Sequence, residues 1–228
     1  MDRKRLQLNR NQKIVLLVTA VLLAVISVTA VLRMRVIHWK NQQSEMSFLV
    51  LINKDNPVPT DIDIEFTMID DENMVDARCA FELEQMLSEC RQRGFDLSIT
   101  HSFLTEGGVE ELIAAETERA RAMDGLAVSA EEYVSSRIAH AGCNEHQTGF
   151  AVDIEDNAAE DQEKSAAHDW LRENSWRYGF ILRYDRGREA VTGYGFNPTH
   201  YRYVGVAAAE QIHELDMTLE EYINMFYK

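Results

Sequence analysis

The amino-acid sequence predicts an α+β fold in which helices surround a small antiparallel sheet, preceded by one N-terminal transmembrane helix. Two observations support this prediction. Segments with apolar residues at helical spacing alternate with short β-type runs, and an uncharged apolar run of 19 residues lies near the N-terminus. The chain of 228 residues is long enough for one domain plus an appendage, and it contains no internal repeat, low-complexity run or Gly-rich phosphate loop.

The N-terminal segment is predicted to be a membrane anchor. Residues 14–32 carry no charge and are long enough to cross a bilayer. Five basic residues and one acid lie in residues 1–13, which indicates a basic cytoplasmic tail and an exported C-terminal region. Residues 33–47 are predicted to be a polar tether and residues 48–228 the folded domain. We therefore predict a single-pass plasma-membrane protein with a cytoplasmic N-terminus.

A cleaved signal peptide is the alternative interpretation of the same apolar run, with Val28 to Ala30 as the cleavage site. Its apolar core is longer than the usual stretch of about 7–15 residues in a signal peptide. We therefore predict an anchor that stays attached to the domain.

The charge of the chain is divided unevenly between its two parts. The whole chain carries −15, and residues 1–40 hold eight Lys and Arg against one acid, net +7, so that residues 41–228 carry −22. A domain this acidic argues against nucleic acid as a partner and against electrostatic adhesion to anionic lipid.

The three cysteines are predicted to be ordinary thiols. Cys79 and Cys90 lie on one helical stretch, about 16 Å apart along its axis, which is too far for a disulfide. With Cys143 as the third, the chain has no disulfide framework.

Periodicity and turn residues place the elements of the domain in order. A helix is predicted over 75–93, because apolar residues from Ala80 to Cys90 recur at helical spacing and Gly94 follows. Strands are predicted at 97–100, 150–154, 180–184 and 201–206, and further helices at 110–123, 130–139, 162–177 and 219–226. Helices gathered around a few antiparallel strands give the α+β class.

Two His and one Asp form a candidate metal site. His146 precedes Asp153 by seven residues, which on one helix would separate them by about 10 Å, too far to bind one ion. Residues 150–154 are instead predicted to be a strand entered from a turn at Gly149, which folds His146 back towards Asp153. The third ligand, His200, would come from the next strand. This set is typical of a catalytic zinc with an open fourth position, and an iron(II) facial triad is the alternative.

The sequence around this triad resembles a known family. Residues 145–154 resemble the Ser-x-His-x-x-Gly-x-Ala-x-Asp motif of the VanY-like zinc D,D-carboxypeptidases, the LAS metallopeptidases of cell-wall metabolism. Further stretches follow the order and spacing of that family, at residues 50–59, 178–184, 192–193 and 200–205. The resemblance covers residues 48–225, nearly the whole chain outside the N-terminal segment.

The resemblance implies a function and assigns roles to individual residues. It implies zinc bound by His146, Asp153 and His200. It also implies removal of the terminal D-Ala from peptidoglycan stem peptides. Asn144 stands at the position of the motif's Ser, and we expect it to face the substrate.

Two positions of the family pattern carry different chemistry in this chain. The family's Glu-x-Trp-His motif supplies the general base from its Glu, whereas Asn197 stands there in this chain and Thr199 replaces the Trp. An amide cannot accept the proton, and losing a general base costs about 10²–10⁴ in rate. The family's Ser-x-Tyr-Arg-Ser/Thr stretch clamps the substrate carboxylate through its Arg, whereas this chain has Leu104. Losing such a charged hydrogen bond costs about 1.5–3 kcal/mol.

Three hypotheses follow from these substitutions. The first is a membrane-anchored zinc D,D-carboxypeptidase whose activity is weak or lost, with Glu106, Glu145 or Arg183 substituting for the missing groups. The second is an inactive zinc-binding pseudoenzyme that binds a cell-wall peptide or a protein partner. The third is a related peptidase that cuts a bond with no free carboxylate beside it. His101, close to Leu104, is a further candidate for weak carboxylate binding when it is protonated.

Overall fold

The computed structural model describes residues 10–11, 18–20, 22–23, 26–34 and 48–227. The predicted cytoplasmic tail, transmembrane segment and tether lie largely outside these residues, so the anchor stays a prediction. Within the described parts of the chain, no helix combines the length and the apolar character needed to cross a bilayer. The folded domain is a separate unit that spans Ser47–Lys228.

The elements of the domain confirm the predicted α+β class. The strands are β1 (Phe66–Met68), β2 (Met74–Asp76), β3 (Leu97–His101), β4 (Ala151–Asp156), β5 (Phe180–Tyr184) and β6 (Asn197–Tyr203). The helices are α1 (Ala77–Gln92), α2 (Glu106–Arg121), α3 (Ala130–Ser135), α4 (Ala166–Asn174), α5 (Glu189–Thr192), α6 (Val206–Glu214) and α7 (Leu219–Phe226). Short 3-10 helices occupy Glu145–Thr148, Gln162–Lys164 and Ser175–Tyr178.

The central sheet is antiparallel throughout and has the strand order β3-β4-β6-β5. Asp153 on β4 lies opposite His200 on β6 and, on its other side, opposite His101 on β3. Directly opposed residues on neighbouring strands project from the same face of a sheet. The sheet therefore aligns three polar side chains in one row, while β1 and β2 form a separate two-stranded ribbon.

The other face of the sheet packs against α1. This helix buries Cys79, Leu83, Met86 and Cys90, which recur every three or four residues and so share one face. The sheet residues in the same hydrophobic cluster are Val152, Ile154, Phe180, Tyr201 and Tyr203. Because the side chains that flank Asp153 on β4 belong to this core, Asp153 itself projects away from α1. All three cysteines are buried free thiols, as predicted.

Two helices differ from their predicted bounds because of their caps. The helix predicted to begin at residue 110 begins at Glu106, since the Thr105 side chain caps its N-terminus. The helix predicted over 162–177 is interrupted at Ser165, whose side chain accepts hydrogen bonds from the first turn of α4. The helix predicted over 130–139 ends at Ser135.

The strand that carries His200 is longer than predicted. β6 begins at Asn197 rather than at residue 201, because Asn197 pairs with Tyr184 across a register shift in β5. The residue pattern did not predict β1, β2, α5 or α6, of which the first three are only three or four residues long.

Candidate metal centre and active-site cleft

A 3-10 turn brings His146 to the sheet. Asn144 caps this turn: its Oδ1 accepts a hydrogen bond from the His146 N–H at 3.0 Å, and its Nδ2 donates to the Ala139 carbonyl at 2.9 Å. Gly149 ends the turn at φ 72°, a left-handed conformation that glycine adopts without strain. The predicted turn is therefore present, and Asn144 supports His146 structurally. A contact of Asn144 with substrate stays a prediction.

The structure brings the three predicted ligands together. Nε2 of His146 lies 3.3 Å from Oδ2 of Asp153, and Nδ1 of His200 lies 2.8 Å from Oδ1 of the same carboxylate. One ligand atom from each residue falls within 4.8 Å of the others. Nδ1 of His146 donates to the Ser102 carbonyl at 2.8 Å, which fixes the tautomer whose Nε2 can bind a metal. Two imidazoles and one carboxylate are a donor set that fits zinc.

The electrostatics of the triad favour a bound cation. Burial alone would raise the pKa of Asp153, but His146 and hydrogen bonds from His101 and His200 hold that pKa well below its usual range. Burial alone would lower the pKa of His200, but hydrogen bonds with Asp153 and Glu145 raise it to about 9. A divalent ion therefore competes with a proton for this site.

His101 extends the row of polar side chains across the sheet. Its Nδ1 lies 3.2 Å from Oδ2 of Asp153, and its half-buried ring lines the cleft. The sequence placed His101 near the expected cleft but gave no sign of this contact, because strand register is not visible in the residue pattern.

A buried network of ion pairs contacts the Nε2 side of the His200 ring. Oε2 of Glu145 lies 3.3 Å from Nε2 of His200, and Oε1 accepts a hydrogen bond from Nε of Arg183 at 2.9 Å. Arg183 also pairs with Glu220 at 2.6 Å, and Nη1 of Arg202 lies 3.4 Å from Glu145. Burial alone would raise the pKa of Glu145, but Arg183 and Arg202 hold that pKa well below its usual range. Glu145 and Arg183 are therefore already bound to buried partners. Neither is free to replace the missing general base or the missing carboxylate clamp.

The two substituted positions lie in different surroundings. Asn197 lines the cleft, where its Oδ1 accepts hydrogen bonds from the Thr199 N–H at 3.0 Å and from the Thr199 hydroxyl at 2.8 Å. Leu104 packs over the first turn of α2, outside the cleft lining, and its N–H donates to the His146 carbonyl at 3.4 Å. Glu106 is exposed at the start of α2 and also lies outside the cleft lining.

A cleft of about 310 Å³ opens at the triad, which is large enough for a small ligand. Six carboxylates line it: Glu116, Glu145, Asp153, Glu155, Asp161 and Glu163. Two arginines line it as well, Arg119 and Arg137.

Most of the charged groups outside the triad are paired. Glu116 binds Arg119 at 2.6 Å, Asp161 binds Lys164 at 2.6 Å, and Glu163 binds Arg186 at 2.8 Å. Among the residues that the structure describes, no ion-pair partner lies within 4.0 Å of Glu155 or of Arg137. The cleft thus contains one carboxylate, that of Glu155, and one guanidinium, that of Arg137, whose charges are not compensated by a close partner.

The antiparallel sheet and its two-His, one-Asp cleft define a metal-dependent class of protein. Residues 72–206, more than half of the chain, match the family model described as VanY: D-alanyl-D-alanine carboxypeptidase. A D-alanyl-D-alanine carboxypeptidase of Enterococcus faecalis is 31% identical over 186 residues, which covers 81% of this chain and 69% of that protein. The chain therefore belongs to the VanY family of D-alanyl-D-alanine carboxypeptidases.

Two solved structures extend the similarity to the fold and the metal. VanYB in complex with D-alanine-D-alanine has a TM-score of 0.69 and 31% identity, over 79% of this chain and 99% of that one. An alanine variant of the vancomycin-resistance D,D-pentapeptidase VanY, from a VanB-type cassette and in complex with Zn(II), has the same TM-score and identity, over 78% of this chain and 99% of that one. With the His/Asp/His group of this chain, these findings identify zinc, rather than iron(II), as the cofactor.

Proposed function

We propose that this protein is a slow zinc D,D-carboxypeptidase that removes the terminal D-Ala from peptidoglycan stem peptides. The observation that carries this proposal is the contact of His146 and His200 with the two oxygens of Asp153 at a cleft. Family membership supports the reaction class. The D-alanine-D-alanine complex of VanYB supports the substrate.

The chain's own residues prepare the metal site in this proposal. When bound, zinc supplies a Lewis acid that polarises the scissile carbonyl and lowers the pKa of a water. The Ser102 carbonyl fixes the tautomer of His146, and the buried Glu145 orients His200. Because these supports are a backbone carbonyl and a buried carboxylate, the ligands are held in place before the metal binds.

Asn197 cannot take up the proton that hydrolysis releases, so another group must do so. We assign this role to Glu155. Asp153 and Glu155 are two residues apart on β4 and so project from one face. Glu155 and Asn197 both line the cleft that holds the triad.

The position of Glu155 also explains why turnover would be slow. It is the cleft carboxylate that has no ion-pair partner within 4.0 Å among the described residues, so its charge is available to accept a proton. Two residues along a strand span about 7 Å, so the Glu155 side chain must reach back to act beside Asp153. A general base held at this distance from the metal ligands is expected to transfer the proton less efficiently than one beside the metal.

A catalytically inactive protein that binds cell-wall peptide is the second candidate. It is favoured by the amide of Asn197, whose oxygen is already occupied by two hydrogen bonds from Thr199. In that case the metal ligands and the cleft would hold the peptide without cutting it.

We also propose that residues 14–32 anchor the domain to the plasma membrane, with residues 1–13 in the cytoplasm. The proposal is supported by the uncharged run and its basic N-terminal flank. Alkaline extraction of membranes should leave the full-length chain in the pellet. A shorter soluble form that begins after Ala30 would instead identify a cleaved signal peptide.

Hydrolysis can be tested with the full chain, purified in mild detergent and loaded with zinc. It is incubated with a muramyl pentapeptide that ends in D-Ala-D-Ala, and tetrapeptide and free D-Ala are measured by mass spectrometry. We expect slow release of D-Ala from the wild type and none from His146→Ala. Asn197→Glu introduces a carboxylate at the cleft position where the family pattern has its general base, and it should raise kcat by about 10² or more.

The controls separate the two candidates. Product from His146→Ala, or from protein treated with a chelator, would refute the metal-dependent mechanism. A wild type that binds the peptide but yields no product would support the inactive binding protein. Activity that appears only in Asn197→Glu would then locate the missing step at residue 197.

A further inference from the structure

Arg137 lines the cleft with an uncompensated positive charge. Its guanidinium carbon lies 4.0 Å from the centroid of the Tyr133 ring, and its Nη1 donates a long hydrogen bond of 3.4 Å to the Ser136 hydroxyl. In the part of the chain that the structure describes, no carboxylate lies within 4.0 Å of it. A guanidinium stacked on a ring keeps its in-plane N–H groups directed outwards, where they can form a forked pair with a carboxylate.

The backbone holds Arg137 close to the strand that carries His200. The Ser136 carbonyl accepts a hydrogen bond of 2.7 Å from the Gly195 N–H, two residues before β6. The Arg137 side chain passes over Gly195, where a Cβ would lie 3.7 Å from its Cγ. Contacts with Tyr133 and Gly195 on two sides restrict the guanidinium, so less conformational freedom is lost when it binds a ligand.

The other candidate cations in the cleft are less suited to bind an anion. Arg119 is already paired with Glu116 at 2.6 Å. Nδ1 of His101 lies 3.2 Å from the carboxylate of Asp153. Leu104, at the position where the family pattern predicts an arginine, carries no charge.

We infer that Arg137 binds the C-terminal carboxylate of the peptide and so determines specificity for a free C-terminus. The inference rests on the proposed function and deepens it. A peptide carboxylate that leaves water for this cleft needs a cation there to pair with it. Arg137 is the cleft-lining arginine whose charge is free to do so, and it thereby replaces the clamp that is missing at Leu104.

The inference can be tested by binding, which does not require turnover. Zinc-loaded full-length protein is titrated with N-acetyl-D-Ala-D-Ala and with the matching C-terminal amide, and Kd is measured by calorimetry, or KM where hydrolysis is detectable. We expect the wild type to prefer the acid by at least about ten-fold. Arg137→Gln should weaken binding of the acid by about 10- to 100-fold and leave binding of the amide unchanged.

Two further variants sharpen the test. Arg137→Lys keeps the charge but loses the fork, so it should retain part of the preference for the acid. Arg119→Gln is the matched control and should retain all of it. Unchanged binding of both ligands in Arg137→Gln would overturn the inference, and so would an equal loss for both ligands, which would indicate a structural role.

Hydrolysis measured on the same samples separates this inference from the proposed function. An Arg137-dependent preference for the acid without turnover would support the inference and refute hydrolysis. Turnover of acid and amide at equal KM would refute the inference and leave the peptidase intact. A folded wild type that neither binds nor cuts either ligand would refute both.

Discussion

Glu155 is the residue on which the proposed rate depends. Glu155→Gln keeps the size of the side chain but removes its ability to accept a proton, so kcat should fall by about 10²-fold or more while KM changes little. Initial rates of D-Ala release across a range of peptide concentrations measure both constants. Glu163→Gln is the matched control, because Glu163 also lines the cleft but is paired with Arg186 at 2.8 Å. Equal rates in the two variants would place the proton acceptor elsewhere.

Contacts between residues of one sequence motif could be predicted, whereas contacts between residues that meet only in the folded domain could not. His146 and Asp153 are seven residues apart, and the turn at Gly149 made their contact predictable. The role of Arg137 was not predictable, because it depends on which other charges in the cleft are already paired. Glu116 neutralises Arg119 across one turn of α2, whereas no such neighbour approaches Arg137 among the described residues.

Elements are positioned by caps and pairing as much as by periodicity. The apolar spacing of α1 predicted its buried face, and the alternation of β4 predicted which face carries Asp153. The start of α2 was misplaced because the Thr105 cap lies ahead of the apolar residues. The start of β6 was misplaced because its first residues pair with β5 and have no strand-like pattern of their own. Because β6 was predicted to begin at residue 201, Asn197 was not expected to lie in this strand, whose first residues line the cleft.

The segment between β4 and α4 is held by a buried histidine. Nε2 of His168 donates to the Gln162 side-chain oxygen at 2.9 Å, and Gln162 in turn donates to the Asp156 carbonyl at 3.0 Å. Burial lowers the pKa of His168 below its ordinary value of about 6.5. As the pH falls, the unfolded chain therefore takes up this proton before the folded protein does. The stability contributed by neutral His168 is present above about pH 6.5 and is lost as the pH falls from there through the folded pKa.

His168→Gln should consequently flatten the acid side of the stability profile. Urea unfolding of the wild type at pH 7.5 and 5.5 should show a decrease in the free energy of unfolding, to which His168 contributes at most about 1.4 kcal/mol per pH unit. The decrease should be smaller in His168→Gln and unchanged in His140→Gln, since His140 is exposed. A decrease of the same size in all three proteins would assign the acid sensitivity to other groups.

For the whole molecule, the sequence predicted the class of fold and the chemistry of the metal site better than it predicted the cleft. The overall charge argued against nucleic acid as a partner but could not show that six of the acids converge on one cavity. The six acids come from α2, the 3-10 helix that carries His146, β4 and residues 161–163, which meet only in the folded domain. The N-terminal anchor stays a prediction, because most of residues 1–47 lie outside the described part of the chain.

Zinc should stabilise the entire domain, because its predicted ligands come from a turn and two central strands that are remote in sequence. A ligand that binds only the folded state adds about 4 kcal/mol at a free concentration 1,000-fold above its Kd. For a domain of this size, that corresponds to a rise in Tm of about 8–16 °C. Thermal unfolding followed by circular dichroism, with zinc and with chelator, measures this rise. His146→Ala should abolish it, whereas His140→Ala, which removes an exposed imidazole that does not line the cleft, should preserve it. A rise that persists in His146→Ala would show that the stabilising zinc binds elsewhere on this acidic chain, and the triad would then lose its place at the centre of the mechanism.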